Sequence, residues 1–333
     1  MKKFKMKNSP YITTKNDTKS IMLNVLISLI PLIAYNIYLH GMTVAINMIA
    51  AMVVSSVIEI LFMAIFNKSN LWNRILSSYV FLPGLLLTLV LPVGLSLPVI
   101  LIGSAIASLV KSIYSKIGKS FINPTLVGFL VVSLLVNYHS LINMGYMNGT
   151  IGIGALTSLT PLCLLIGFIY LLLTKAIKWR ITVTYLLSYV IMIFFIGLYT
   201  GFGAWPTTIY TIVNLLSGGL IFASIYLATD TKTSPVSNGG QVLYGMLLGL
   251  VTVLLHYYVN LNSVECYAII IMNLLVPVIN NIGAQGRLNK EKIITPIVLV
   301  WILMSITTVI IGYSANHKII NINKMGVVDE QKK

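Results

Sequence analysis

Unbroken apolar runs, set apart by short polar turns, organise almost the whole chain. They fall near residues 21–39, 43–66, 75–92, 97–113, 122–138, 161–174, 181–199, 209–228, 240–259, 265–281 and 293–313. A helix needs roughly 20 apolar residues to cross a bilayer, and these runs bracket that length. The pattern predicts an all-α polytopic membrane protein of ten or eleven transmembrane helices and no soluble domain. The shorter runs, 122–138 and 161–174, are expected to be tilted or re-entrant. Residues 1–20 read as a polar cytoplasmic N-terminal segment and 21–287 as the membrane domain. Residues 293–313 read as an extra C-terminal transmembrane helix and 314–333 as a polar tail. The first apolar run is long enough to stay as an anchor rather than be cleaved as a signal peptide.

Composition agrees with this reading. The chain is 57% hydrophobic and 9% charged, with a mean hydropathy of +0.93, far beyond what a soluble core needs. Its 22 Lys and Arg against 7 Asp and Glu, net +15, would suggest nucleic acid on a soluble protein. Their placement argues otherwise. Numbered alternately from an inner N-terminus, the inner segments collect Lys68, Arg74, Lys111, Lys116, Lys119, Lys175, Lys178, Arg180, Lys232 and Arg287. The outer loops at 40–42, 93–96, 139–160, 200–208 and 260–264 hold no Lys or Arg. That alternation follows the positive-inside rule and predicts a multi-pass protein of the inner or plasma membrane with a cytoplasmic N-terminus. The basic balance therefore reports orientation, and no nucleic-acid partner is expected.

A loose internal echo divides the membrane domain into two five-helix repeats, about 21–138 and 161–281. Pro83-Gly84-Leu85-Leu86-Leu87 opens a span that stops at Pro92-Val93-Gly94. Ser217-Gly218-Gly219-Leu220-Ile221 opens another that stops at Ala228-Thr229-Asp230. The third and eighth helices are thus expected to be interrupted, and matched interruptions in two halves mark a site at the repeat interface. The second stop is the more polar: Ala228-Thr229-Asp230-Thr231-Lys232-Thr233-Ser234-Pro235 is a proline-closed turn between apolar runs. Lipid cannot hydrogen-bond the backbone freed there, so protein or a cavity must.

Few side chains carry chemistry. Glu59 is an acid well inside an apolar run, and with no charged residue at i±3 or i±4 its partner must come from another helix. It reads either as a proton or cation relay or as a buried structural glutamate. Asp230, flanked by Thr229, Thr231 and Thr233, reads as an ion or ligand contact or as an ordinary helix cap. Glu265 completes the acids available to a cation path. His40, His139, His256 and His317 show no metal-ligating spacing. Cys163 and Cys266 leave two readings: one outer-face disulfide, or two unpaired apolar thiols. No P-loop, dinucleotide fingerprint, iron–sulfur run or Ser-His-Asp arrangement is present, so soluble-type enzymology has no support.

One uncharged outer stretch, Met147 to Leu162, holds four hydroxyl residues and leads into a span through Thr160-Pro161. Other short segments fall in order: Asn8-Ser9-Pro10-Tyr11-Ile12, Phe121-Ile122-Asn123-Pro124-Thr125-Leu126-Val127-Gly128, Thr160-Pro161-Leu162, Ala228-Thr229-Asp230 with Thr233-Ser234-Pro235, Tyr244-Gly245 with Gly249, and Met272-Asn273-Leu274-Leu275-Val276-Pro277. On these, residues 7–287 resemble the D subunit of Rnf electron-transport complexes and the related B subunit of sodium-pumping NADH:quinone reductases.

The resemblance implies a membrane subunit of a redox-driven translocase that exports Na+ or H+, rather than a self-contained enzyme. It implies partner subunits, a flavin transferase and surrounding lipid. It also implies FMN joined by a phosphoester to the threonine before Pro-Leu, here Thr160, with Thr157 as a lesser candidate, and a non-covalent riboflavin. Asp230, Thr229, Thr233, Glu59 and Asn123 become the candidate ion or flavin contacts. The threonine motif departs from the family pattern, with Ser158 and Leu159 for its Gly and Ala, and Gly154 for an upstream acid. Two alternatives therefore stay open: a solute channel or carrier on the same membrane core, and a flavin-free structural subunit.

Overall fold

A computed structural model of the chain describes residues 18–66, 79–136, 160–200, 204–216, 219–259 and 263–330. Residues 1–17, Thr157 and His139 lie outside the described residues. All the described elements are helical: α1 Thr18–His40, α2 Met42–Phe66, α3 Leu82–Val90, α4 Leu97–Ile117, α5 Pro124–Leu135 and α6 Thr160–Leu173. Next come α7 Trp179–Tyr199, α8 Ala204–Leu216, and α9 Leu220–Phe222 continued by a π-helical turn at Ala223–Leu227. The last are α10 Asn238–Tyr258, α11 Val264–Leu288 and α12 Glu291–Glu330. Among these, α1, α2, α4, α7, α10, α11 and α12 are each long and apolar enough to cross a bilayer. The chain is a multi-pass membrane protein.

The remaining apolar runs become shorter pieces, for reasons visible in their residues. The run at 75–92 contributes only the nine-residue α3. Pro83 sits in its first turn, Leu91 leaves in an extended conformation, and Gly94 follows at φ 97°. At about 1.5 Å per residue such a helix covers roughly half the hydrocarbon core. The expected eighth span, 209–228, is divided between α8 and α9. In the π turn of α9 the Ala228 amide donates five residues back, to the Ala223 carbonyl, at 2.8 Å. Such turns recur where a helix has been adapted to a site. The short runs α5 and α6 are intact helices of 12 and 14 residues.

Two groups of helices build the interior. In the first, α2 packs on α3 and α4, and α4 on α5; in the second, α7 packs on α8 and α10, and α10 on α11. Helix α1 lies against α6, and α12 covers α7, α10 and α11. The α7–α10 contact shows why small residues are needed without a hydrophobic drive between helices in lipid. Gly245 and Gly249, four apart on α10, bring that backbone onto Ile181, Thr184 and Ser188. A Cβ at Gly245 would lie 1.9 Å from Thr184 Oγ1. The C-terminal residues from 314 onward, read as a polar tail, are helical to Glu330, as the last part of α12. No proline interrupts them, and a polar sequence can stay helical once an apolar stretch has nucleated it.

Candidate functional site

Both interrupted helices expose backbone groups that lipid could not satisfy, and side chains of neighbouring helices meet them. Before α3, Ser55 of α2 donates to the Val80 carbonyl at 2.9 Å, and the Lys111 ammonium of α4 donates to Tyr79 at 3.2 Å. Along α9, Thr182 of α7 donates to Ser224 at 2.9 Å, and the Asn123 amide donates to Leu227 at 3.4 Å. Thr229 returns its hydroxyl proton to the Ile225 carbonyl within its own helix.

The chain that leaves α9 folds back on itself through Asp230. Its carboxylate accepts from the Thr233 hydroxyl at 3.0 Å and from the Lys232 amide at 3.5 Å, which is an Asx-type turn. Lys178, just before α7, locks that turn from outside. Its Nζ donates to Ser234 Oγ at 2.8 Å, to the Ser234 carbonyl at 3.1 Å and to the Thr231 carbonyl at 3.3 Å. Burial holds the Lys178 ammonium below its ordinary pKa, with the nearby Asp230 charge opposing that shift.

Two adjoining cavities open beside this turn. The smaller, of about 120 Å³, is lined by Lys111, Asn123, Thr125, Tyr226, Asp230 and Lys232, over an apolar wall from α1 and α3. The larger, of about 550 Å³, lies between the end of α4 and α11 and is lined by Lys232, Thr233, Asn273, Pro277 and Asn280 among others. Tyr114, Ser120 and Lys232 border both. Asn273 is 2% exposed; its Oδ1 accepts from Tyr244 at 2.8 Å while its Nδ2 has no partner among the described residues. A buried donor without an acceptor is costly, and here it borders a space large enough for a drug-sized ring system.

Asp230, Asn123 and Thr233, singled out from sequence, are therefore brought together here. Glu59 is not among the lining residues. It is buried on α2 and paired with Lys111 at 2.8 Å, the partner from another helix that its sequence context required. Lys111, grouped from sequence with the inner-loop cations, sits inside α4 instead, because Glu59 and the Tyr79 carbonyl compensate its charge there. Sequence reasoning also missed Lys178 and Asn273 as site residues. A lysine inside the apolar run of α4 was the available signal for Lys111; nothing local marked Asn273. Thr160 lies elsewhere, as the first residue of α6, and is buried. Cys163 and Cys266 are both free, and among the described residues no three His, Cys, Asp or Glu gather as a metal site.

The sequence profile of the NQR2, RnfD, RnfE family matches residues 5–144 and 133–289. The chain is 29% identical to the D subunit of the Na(+)-translocating ferredoxin:NAD(+) oxidoreductase complex of Acetobacterium woodii, over 86% of this chain and 93% of that protein. It is also 29% identical to the D subunit of the ion-translocating oxidoreductase complex of Methanosarcina acetivorans, over 84% and 95%. The D subunit of the proton-translocating ferredoxin:NAD(+) oxidoreductase complex of Clostridium ljungdahlii is 24% identical, over 87% and 97%. Helix α12 begins beyond the matched residues. The chain belongs to the NQR2, RnfD, RnfE family.

Proposed function

We propose that this chain is the membrane subunit of an Rnf-like complex, in which electrons passing through flavin drive export of Na+ or H+. The observation that carries the reading is the family match over residues 5–144 and 133–289, together with the 29% identity to a D subunit over 86% of this chain. The N-terminus is cytoplasmic in this reading, the other subunits and a flavin transferase are its partners, and Asp230 faces the inner mouth.

Two places suit flavin. At Thr160 a phosphoester would lie at the N-terminus of α6, where the helix dipole favours an anion. Contacts from Tyr170 to Asn24 and from Gly167 to Ser28 set an antiparallel register between α6 and α1. Continued by two turns, that register brings Asn36 level with Thr160. Asn36 is 1% exposed and both its amide atoms lack partners among the described residues, so it is a donor suited to a phosphate oxygen. Beside Asp230, the larger cavity suits a non-covalent riboflavin. Asn273 Nδ2 would donate to the polar edge of the ring, and Lys232 would supply positive charge near it. Flavin when bound supplies the one- and two-electron chemistry that side chains lack. The protein holds the ring, excludes lipid through the α3 and α9 elements, and fixes the nearby charges through Lys178 and Glu59.

A flavin-free structural subunit is the second reading, and it is favoured by Ser158 and Leu159 in the threonine motif and by the burial of Thr160. Affinity purification of the tagged chain from its native membranes separates the readings. The redox reading expects co-purifying subunits, bound flavin and donor-driven cation movement into inverted vesicles. An assembled complex in which this chain itself bears no flavin supports the second reading, and a chain that isolates alone and carries solute without a reductant contradicts the first.

A further inference from the structure

Helix α9 has different chemistry at its two ends. Asp230 follows the last turn, whereas the first residue before the helix, Gly219, meets Glu265. The whole length of α10, from Asn238 to Tyr258, separates these two places, so they face opposite sides of the membrane. Glu265 is 7% exposed and sits in the first turn of α11. Its carboxylate accepts from the backbone amide of Gly219 and from its own, with no cationic partner among the described residues. A Cβ at Gly219 would fall 2.5 Å from Glu265 Oε1. Glu59, the other acid buried in the membrane domain, is by contrast neutralised by Lys111.

The end of α3 at Val90, the start of α9 and the start of α11 converge around Glu265 on a cavity of about 10 Å³. That is about the space one water needs. Opposed forces act on the carboxyl there. Desolvation disfavours its charged form, while two helix N-termini and two amide donors favour it. A bound cation is disfavoured, since two of the three helix ends present their positive poles. Among the described residues, the titratable groups within electrostatic reach are Tyr185 and Tyr189 of α7 and Cys266 of its own helix. Helix α3 carries none, and the tyrosine of α9, Tyr226, is bonded to Ser28 at the far end. Beyond Tyr189, Tyr210 of α8 and Tyr257 of α10 stand hydroxyl to hydroxyl at 3.0 Å, near the end of α10.

We propose that Glu265 is a proton-exchanging carboxyl on the face of the membrane domain remote from Asp230. The step moves one proton and no electrons. The carboxyl O–H bond breaks as a cavity water accepts the proton. That water then passes one proton on toward the surface, ending neutral as it began. Its use as an exit for an exported proton rests on the redox-pump reading; the titration of Glu265 does not.

The intact complex tests this in two arms. Infrared difference spectra between about pH 5 and 9 should show a carboxyl band in the wild type that Glu265→Gln removes. Gln keeps the size and an acceptor for the Gly219 amide. In inverted vesicles E265Q should cut donor-driven proton movement roughly tenfold or more. Electron transfer with an uncoupler present should stay within about twofold. A carboxyl band that persists in E265Q, or wild-type proton movement in that variant, overturns the proposal. A wild-type complex that passes no electrons refutes the redox reading instead, and the infrared arm then decides on Glu265 by itself.

Discussion

Lys111 of α4 places its Nζ 2.8 Å from Glu59 Oε2 of α2, in a pair whose side chains are 15% and 3% exposed. The same ammonium donates to the Tyr79 carbonyl ahead of α3. One buried cation thus ties two long helices to the entry of a short one and borders the cavity that holds Asp230. Breaking such a pair is worse than replacing it, because the remaining charge is left without compensation. Lys111→Met is expected to destabilise the chain by about 3–5 kcal/mol. Lys111→Met with Glu59→Gln should recover much of that loss. Thermal unfolding of the three proteins in one detergent measures the difference.

Lys178 is expected to control the turn after α9 rather than the helices around it. Lys178→Met removes three donors from Thr231 and Ser234, so amide exchange across 231–236 should accelerate while α10 stays protected. The pH dependence has a definite sign. Burial lowers the folded-state pKa of Lys178 below the ordinary 10.5, so between those two values the unfolded chain binds more protons. Stability contributed by this group rises with pH across that window, and its penalty is full below the folded pKa. The Lys178→Met protein should lack that slope.

Asn273→Asp separates a ligand contact from a structural one. The aspartate keeps an acceptor for Tyr244, replaces the unpartnered Nδ2 donor by an oxygen and adds a negative charge, both unfavourable to an acceptor on a ligand. Loss of one hydrogen bond to a buried ligand costs about 1–3 kcal/mol, so flavin retained without a covalent bond should weaken by roughly tenfold or more. Unchanged retention, measured as flavin released on denaturation per mole of chain, removes Asn273 from the site.

Close approach of α7 and α10 is expected to tolerate no side chain at Gly245. A Cβ would meet Thr184 Oγ1 at 1.9 Å and the Ile181 carbonyl at 2.9 Å, and the backbone atom cannot rotate away. Gly245→Val should cost at least about 1–3 kcal/mol. Pairing Gly245→Ala with Thr184→Ala should restore part of the stability, read from the same unfolding curves.

Much of the architecture is legible along the chain because transmembrane helices announce themselves by continuous apolar length. Helices α1, α2, α4, α7, α10, α11 and α12 all fall on runs visible in the sequence. The short elements α3 and α9 fall on the segments marked by Pro83 and Pro92 and by Gly218-Gly219 with the polar 228–235 turn, whereas the five-helix repeat suggested by that echo is not established by the helices. Register between helices is what stays hidden. That Lys111 lies level with Glu59, or Gly219 against Glu265, depends on rotation and depth, which no local pattern encodes. Lys111 misleads for that reason: a lysine near the end of an apolar run looks like a loop cation until an acid on a neighbouring helix is placed beside it. Asn273, one amide inside an apolar stretch, becomes notable only because one of its buried atoms has no partner.

Electron transfer through flavin is the property on which the proposed role depends, and covalent attachment at Thr160 is its sharpest consequence. The chain should be purified from cells that also make its flavin transferase, denatured, and tested for in-gel fluorescence and for flavin-bearing peptides by mass spectrometry. Thr160→Ala, Thr157→Ala and Asn36→Leu should be run beside it. Fluorescence in the wild type and in Thr157→Ala, absent in Thr160→Ala, with the flavin on the peptide containing Thr160, is the expected result; Asn36→Leu should lower the yield. A wild-type chain with neither fluorescence nor a modified peptide, from membranes where the transferase is active, would contradict it.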